Sequence, residues 1–167
     1  MNIKTIKDYA RYNLWANKKI ANSLNELSDH SWAEEDKSSF GSIAKTVEHI
    51  LWAEKLWTER LKNQPLPDIS SLQGDQRGEI MEKFIKFSEH LTDLVINYDE
   101  TDLKTSISYS TMSGKGYSNP RYEMIHHCIN HSAFHRGQLI LMMRYHDMTE
   151  VPSTDFISYL NLHSEIS

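Results

Sequence analysis

The amino-acid sequence predicts an all-α fold, a bundle built on long helices, and three observations predict it. Apolar residues recur at i, i+3, i+4 and i+7 in four separate stretches, each about twenty residues or more in length. Polar or proline-bearing segments divide these stretches. Strand-like alternation is confined to one short segment, within Leu103 to Ser118.

The first helix is predicted over Ile3 to Leu27. Ile6, Ala10, Leu14 and Ala21 share a stripe that Tyr9, Trp15, Ile20 and Leu24 broaden, and no Pro or Gly interrupts it. Ser28 to Ser31 is a polar break, and Trp32 to Phe40 a short polar connection. Ser42 is placed as the N-cap of a second helix that runs to about Lys62, with Ile43, Val47, Ile50, Trp57 and Leu61 as its stripe. His49 lies at the side of that stripe. Asn63 to Pro67 ends the helix, because proline cannot continue it and disfavours helix in the residue before.

Ile69 to Gly78 reads as a linker. The third helix spans Glu79 to Tyr98, where Ile80, Phe84, Phe87, Leu91, Leu94 and Val95 are spaced for one face. Ser106 to Thr111 alternates polar with apolar or aromatic residues, and Ser113 to Gly116 is a turn signal, so a short hairpin or extended crossover is expected. Asn119 and Pro120 then open the last long helix as N-cap and first helical residue, and it continues to His146. Met124, Ile125, Cys128, Leu139, Met142 and Met143 form its buried stripe, bordered by His131 and His135. Gly137 in mid-helix costs about 1 kcal/mol relative to alanine, which predicts close approach of a neighbouring helix. Pro152 breaks the chain, and Asp155 to Leu160 reads as a short terminal helix capped by Ser153 or Thr154.

With 167 residues, one domain over 1–167 is expected. The net charge of -5 and the lack of a basic stripe argue against a dedicated nucleic-acid surface. No apolar run is long enough to span a membrane, and no secretory signal is read at the start. Cys128 is the single cysteine, so no internal disulfide is expected; a reducing cytoplasm suits it.

The stretch His131-Ser-Ala-Phe-His135-Arg-Gly-Gln138 carries the chemistry. Two histidines four apart lie one above the other on a helix face and can reach one ion. A third ligand must come from elsewhere, and His49 is the best candidate, although periodicity does not derive that pairing. His127 lies one turn before His131, but three ligands in a row along one helix span about 12 Å, too far to converge. It is read as a supporting or surface residue, and Cys128 as a small buried hydrophobe. Glu54 is read as a partly exposed ion-pair member, or as a carboxylate behind the ligands. His30, His90, His126, His146 and His163 are read as solvent-facing or locally hydrogen-bonded. The alternative for His131 and His135 is a pair of helix-face histidines satisfied by hydrogen bonds.

Imidazole suits zinc, nickel, copper or ferrous iron. Three protein ligands with an open position is the catalytic pattern, whereas closed structural zinc sites usually need more cysteine than this chain has. Gly114-Lys-Gly116 lacks the context of a phosphate loop, no Ser-His-Asp or Cys-His triad is legible, and Ser132 stands where a His-Glu-x-x-His peptidase carries its glutamate.

The sequence resembles the DinB/YfiT-like superfamily of metal-binding four-helix-bundle proteins. Tyr12-Asn-Leu-Trp-Ala-Asn17, His49-Ile-Leu-Trp-Ala-Glu54 and His127-Cys-Ile-Asn-His131-Ser-Ala-Phe-His135-Arg-Gly-Gln138 resemble its three helical signatures, and Val151-Pro-Ser-Thr-Asp-Phe-Ile157 resembles its tail. The resemblance implies an up-down-down-up four-helix bundle with a long crossover, working as a homodimer. It implies metal ligation by His49, His131 and His135, with zinc or nickel as the metal. It implies a metal-dependent enzyme acting on a small-molecule substrate, foremost a thiol S-transferase that uses a low-molecular-weight thiol such as bacillithiol or mycothiol. A metal-dependent hydrolase, or a non-enzymatic, damage-inducible metal-binding protein, is the alternative. No general base is assigned.

Overall fold

The computed structural model describes residues 2–65, 76–111 and 113–162. In chain order the elements are α1 (Ile3–Leu24), α2 (Asp29–Ala33), α3 (Ile43–Leu61), α4 (Arg77–Asn97), α5 (Glu100–Lys104), β1 (Ser106–Ser110), β2 (Gly116–Pro120), α6 (Arg121–Tyr145) and α7 (Phe156–Leu162). The four long helices α1, α3, α4 and α6 make the bundle. Both α1 and α3 pack against both α4 and α6, so α1 lies diagonally across from α3.

The helix directions follow from which ends share a core. Ile6 near the start of α1 clusters with Leu61 at the end of α3, Val95 near the end of α4 and Met124 near the start of α6. At the opposite end, Leu24, Ile43, Ile80 and Met142 cluster together. Thus α1 and α6 run one way and α3 and α4 the other, up-down-down-up. The parallel pair α3 and α4 is joined by the long crossover.

Local chemistry accounts for the boundaries. The Ser42 hydroxyl accepts from the Lys45 amide at 3.1 Å and starts α3 as expected. Helix α4 begins at Arg77, two residues earlier than predicted, because the Glu79 carboxylate accepts from the Gln76 amide at 2.9 Å. Gly78 of the predicted linker is therefore helical, while residues 66–75 lie outside the described residues. The polar break after α1 contains a short helix that the sequence did not signal. The Ser28 hydroxyl accepts from the Ser31 amide, and α2 turns Trp32 into the core.

The hairpin is antiparallel, with Ser106 opposite Pro120 and Tyr109 opposite Tyr117. Gly114 in its turn has φ +81°, a conformation that favours glycine. Asn119 and Pro120 close β2, and Pro120 is also the N-cap of α6, so the helix opens one residue later than predicted. The Asn119 side chain accepts from the Tyr109 hydroxyl at 3.1 Å and donates to Glu123 at 3.0 Å, tying the hairpin to α6. At the other end of the chain the Tyr12 hydroxyl donates to the Thr154 carbonyl at 2.8 Å, and α7 begins at Phe156 with no cap from Ser153, whose hydroxyl turns to Asp155. Among the described residues no helix is long and apolar enough to cross a membrane.

Gly137 departs from expectation. It is exposed, and a Cβ added there would meet nothing within 4 Å, so no neighbouring helix comes close. Its backbone cost is uncompensated. Gly137→Ala is expected to raise unfolding stability by about 1 kcal/mol in urea titrations; an unchanged or lower midpoint would show that the position is constrained in some other way.

Candidate metal centre

Helices α3 and α6 run antiparallel and bring three imidazoles to one point on their seam. The Nε2 atoms of His49 and His131 are 3.0 Å apart, and those of His131 and His135 are 3.2 Å apart. The three candidate ligand atoms all lie within 4.8 Å of one another. Two nitrogens held by one tetrahedral zinc at 2.0–2.1 Å would be about 3.3 Å apart, so the donor set fits such an ion. This is the predicted trio, and no other group of three histidine, cysteine or acidic residues able to hold an ion occurs among the described residues.

Protonation and tautomer are arranged for ligation. Burial pushes the His49 and His131 imidazoles down to about 4, with charge on His135 pushing the same way. Both are therefore neutral near pH 7, and an arriving ion displaces no proton from them. His135 Nδ1 lies 2.7 Å from the Gln138 amide oxygen, which can only accept. Nδ1 therefore donates to that oxygen, and in the neutral ring Nε2 is left as a lone pair facing the cluster. Phe40, in the loop before α3, stacks on His49 with centroids 4.0 Å apart and meets His135 edge-on at 5.3 Å. The Nδ1 of His131 is buried without a partner among the described residues.

Behind the histidines lies a buried polar layer between the two apolar clusters. Glu54 is 0% exposed. Its Oε1 accepts from Asn13 at 2.7 Å, Asn17 at 2.9 Å and Ser132 at 2.8 Å, and its Oε2 accepts from Ser88. Arg136 Nη1 donates to the amide oxygens of the same two residues, Asn13 at 2.7 Å and Asn17 at 2.8 Å. The expectation of a partly exposed ion-pair member at Glu54 is thus overturned. Its turn of α3 faces the bundle centre, and its charge is met by four neutral donors rather than by a cation. Ser132, standing at the peptidase-glutamate position, is one of those donors.

The remaining candidates fall outside the cluster. His127 packs its ring on Trp57, with centroids 4.8 Å apart, and faces His131 at 6.1 Å. Cys128 is fully buried, and burial, then the charge of Glu54, raises its thiol well above the usual range, so it behaves as a small hydrophobe. His126 accepts from Asn130 in a local bond, His30 and His146 approach Glu34, and His163 lies outside the described residues. Sequence reasoning missed Phe40 and Gln138. Phe40 is the one large apolar residue in the run 33–42, and Gln138 follows His135 by three positions on its own helix; both are usable signals.

A four-helix bundle that gathers three imidazole nitrogens on the seam of two antiparallel helices defines a class, that of bundle proteins with a site able to hold a divalent metal. The DinB family model matches residues 1–165, and the chain belongs to the DinB family. Protein DinB of Bacillus subtilis (strain 168) is 26% identical over 157 residues, covering 89% of this chain and 90% of that protein. The crystal structure of a DinB-like protein, YjoA, from Bacillus subtilis superposes with a TM-score of 0.66 at 15% identity, covering 88% of this chain and 96% of that one. A DinB-like protein from Bacillus cereus ATCC 10987 gives a TM-score of 0.63 at 20% identity, over 83% and 90% of the two chains. These two structures share the fold.

Gln138→Ala removes the acceptor that orients His135, and is expected to weaken zinc binding by about 10- to 100-fold in competition with a chromogenic chelator. Unchanged affinity would show that the ring is held by packing alone.

Proposed function

We propose that His49, His131 and His135 hold a divalent metal, zinc or nickel, and that the protein is a thiol S-transferase acting on an electrophilic small molecule. The observation that carries this reading is the convergence of three imidazole nitrogens, with no fourth histidine, cysteine or carboxylate in the group among the described residues. That is the donor set of sites that keep a position for a reactant. The metal, when bound, supplies Lewis acidity that lowers the pKa of a thiol.

The chain's own residues do the rest. His49 and His131 present lone pairs at neutral pH, Gln138 fixes the third ring, and Phe40 covers part of the cluster against water. A thiol is favoured over water as the nucleophile because, among the described residues, no carboxylate belongs to the cluster to act as base. A free thiol ionises at about 8.5, far below water, and so needs far less help. Cys128 is sealed in the core, so the thiol comes from outside, as a low-molecular-weight thiol of the bacillithiol kind. Its sulfur forms a bond to the electrophilic carbon, the leaving group departs with its electron pair, and the thiol proton passes to solvent. A cytoplasmic location, where such thiols stay reduced, belongs to the same proposal.

The test uses untagged protein. Elemental analysis is expected to find about one equivalent of zinc or nickel per chain. Conjugation of an electrophilic dye is expected with one member of a thiol panel and to be abolished in His135→Ala. Metal-loaded protein that turns over with no thiol would overturn the transferase reading; protein that binds no metal would overturn the site.

A homodimer is the second part of the proposal. Phe134, Leu141 and Tyr145 lie along one outward stripe of α6, exposed by 64%, 48% and 76%. Light scattering is expected to give a dimer mass for the natural chain and half that mass for Leu141→Arg. A natural chain that runs as a monomer would contradict it.

A further inference from the structure

The hairpin takes no part in the metal cluster, yet it closes a cavity beside it. The cavity, about 360 Å³, lies between α3, α6 and the hairpin, and Trp57, Tyr109 and Tyr117 give it aromatic walls. That volume falls within the range of small-molecule sites. His127 lines it too, and His127 faces His131 with ring centroids 6.1 Å apart.

Arg60 is the unusual residue of this cavity. It is only 7% exposed. Its guanidinium carbon lies 4.6 Å from the Trp57 ring centroid and 4.9 Å from that of Tyr109. Nη2 donates to the Ser110 carbonyl at 2.9 Å, while Nε is buried with no partner among the described residues. Among the described residues no carboxylate forms an ion pair with it. Glu123 lines the same cavity, but its oxygens accept from Asn119 and Tyr122. A guanidinium keeps its charge at any physiological pH, and an uncompensated buried charge is costly. Packing alone would be served better by leucine or methionine. A planar fork of donors held against aromatic rings is the geometry that receives a carboxylate.

We propose that the hairpin closes an acid-binding pocket, in which Arg60 pairs with the carboxylate of a small organic acid whose flat body lies on Trp57, Tyr109 and Tyr117. An acid seated there stands one side chain, His127, away from the three-histidine point. The pocket thereby supplies recognition for whatever reacts at that point; its role rests on the function proposed above, but its binding does not.

The experiment uses the full chain, metal-loaded and chelator-stripped, titrated with phenylacetate, its neutral amide phenylacetamide, and phenyl phosphate, with tryptophan fluorescence as the readout. Phenylacetate is expected to bind saturably to both forms, and the amide and phenyl phosphate more weakly. Arg60→Gln is expected to lower phenylacetate affinity by about tenfold or more while metal content is retained. The ring of Tyr117 is exposed, so Tyr117→Ala leaves the core intact and is expected to cost severalfold in affinity even where Arg60→Gln fails to fold. Equal binding of acid and amide, preference for phenyl phosphate, absence of saturation, or natural affinity in either variant would overturn the proposal. Binding to the stripped form separates failure of this pocket from failure of the metal site.

Discussion

Everything in this bundle is registered on the charge of Glu54. A carboxylate with no exposed surface must find hydrogen-bond donors inside the protein, and it finds them on the three other long helices. Asn13 and Asn17 are on α1, Ser88 on α4 and Ser132 on α6. The same asparagines turn their oxygens to Arg136, so two opposite charges are linked through two amides without touching. Sliding or rotating any helix by one residue would strand a buried charge. Leaving a buried charged group short of a hydrogen-bond partner costs about 1–3 kcal/mol or more, whereas apolar contacts are non-directional. Two apolar clusters stabilise the fold on either side of this layer, but the layer sets the helices' relative positions. His49 is on the same helix as Glu54, and His131 and His135 on the same helix as Ser132 and Arg136. The meeting of the imidazoles is therefore a by-product of satisfying the carboxylate.

Much of the architecture was legible from spacing alone. The four long helices, the Ser42 cap and the hairpin all follow from patterns of two to four residues, because those elements answer to local rules. The errors fall where tertiary context wins. α2 arises because Trp32 finds a core to enter, and Gly137 sits on open surface where a neighbouring helix was expected. Glu54 looked like surface because carboxylates are seldom buried, and its donors lie up to 78 residues away in sequence. At the candidate site, His131 and His135 could be paired from their spacing, but His49 could be joined to them only through resemblance to a family. No periodicity connects two histidines 82 positions apart on different helices.

Helix α6 shows why a simple amphipathic reading falls short. Its inner face carries Ser132, His135 and Arg136 among apolar residues, and its outer face carries Phe134, Leu141 and Tyr145. Both faces break the usual inside-outside rule, and they do so along the same turns. Departures of this kind tend to collect where a chain does something besides fold. A polar inner face serves the network and the imidazoles, and the outward stripe of Phe134, Leu141 and Tyr145 is left open to solvent.

The separation of His49 from His131 has a consequence for biosynthesis. The ribosome delivers α3 long before α6, with the crossover, α4 and the hairpin in between. On the nascent chain His49 is a lone imidazole with no companions, a poor trap for any ion. The trio can assemble only once α6 has been synthesised and has docked on α3. An ion held by all three imidazoles is therefore taken up after α6 has been made, from the pool the folded bundle meets.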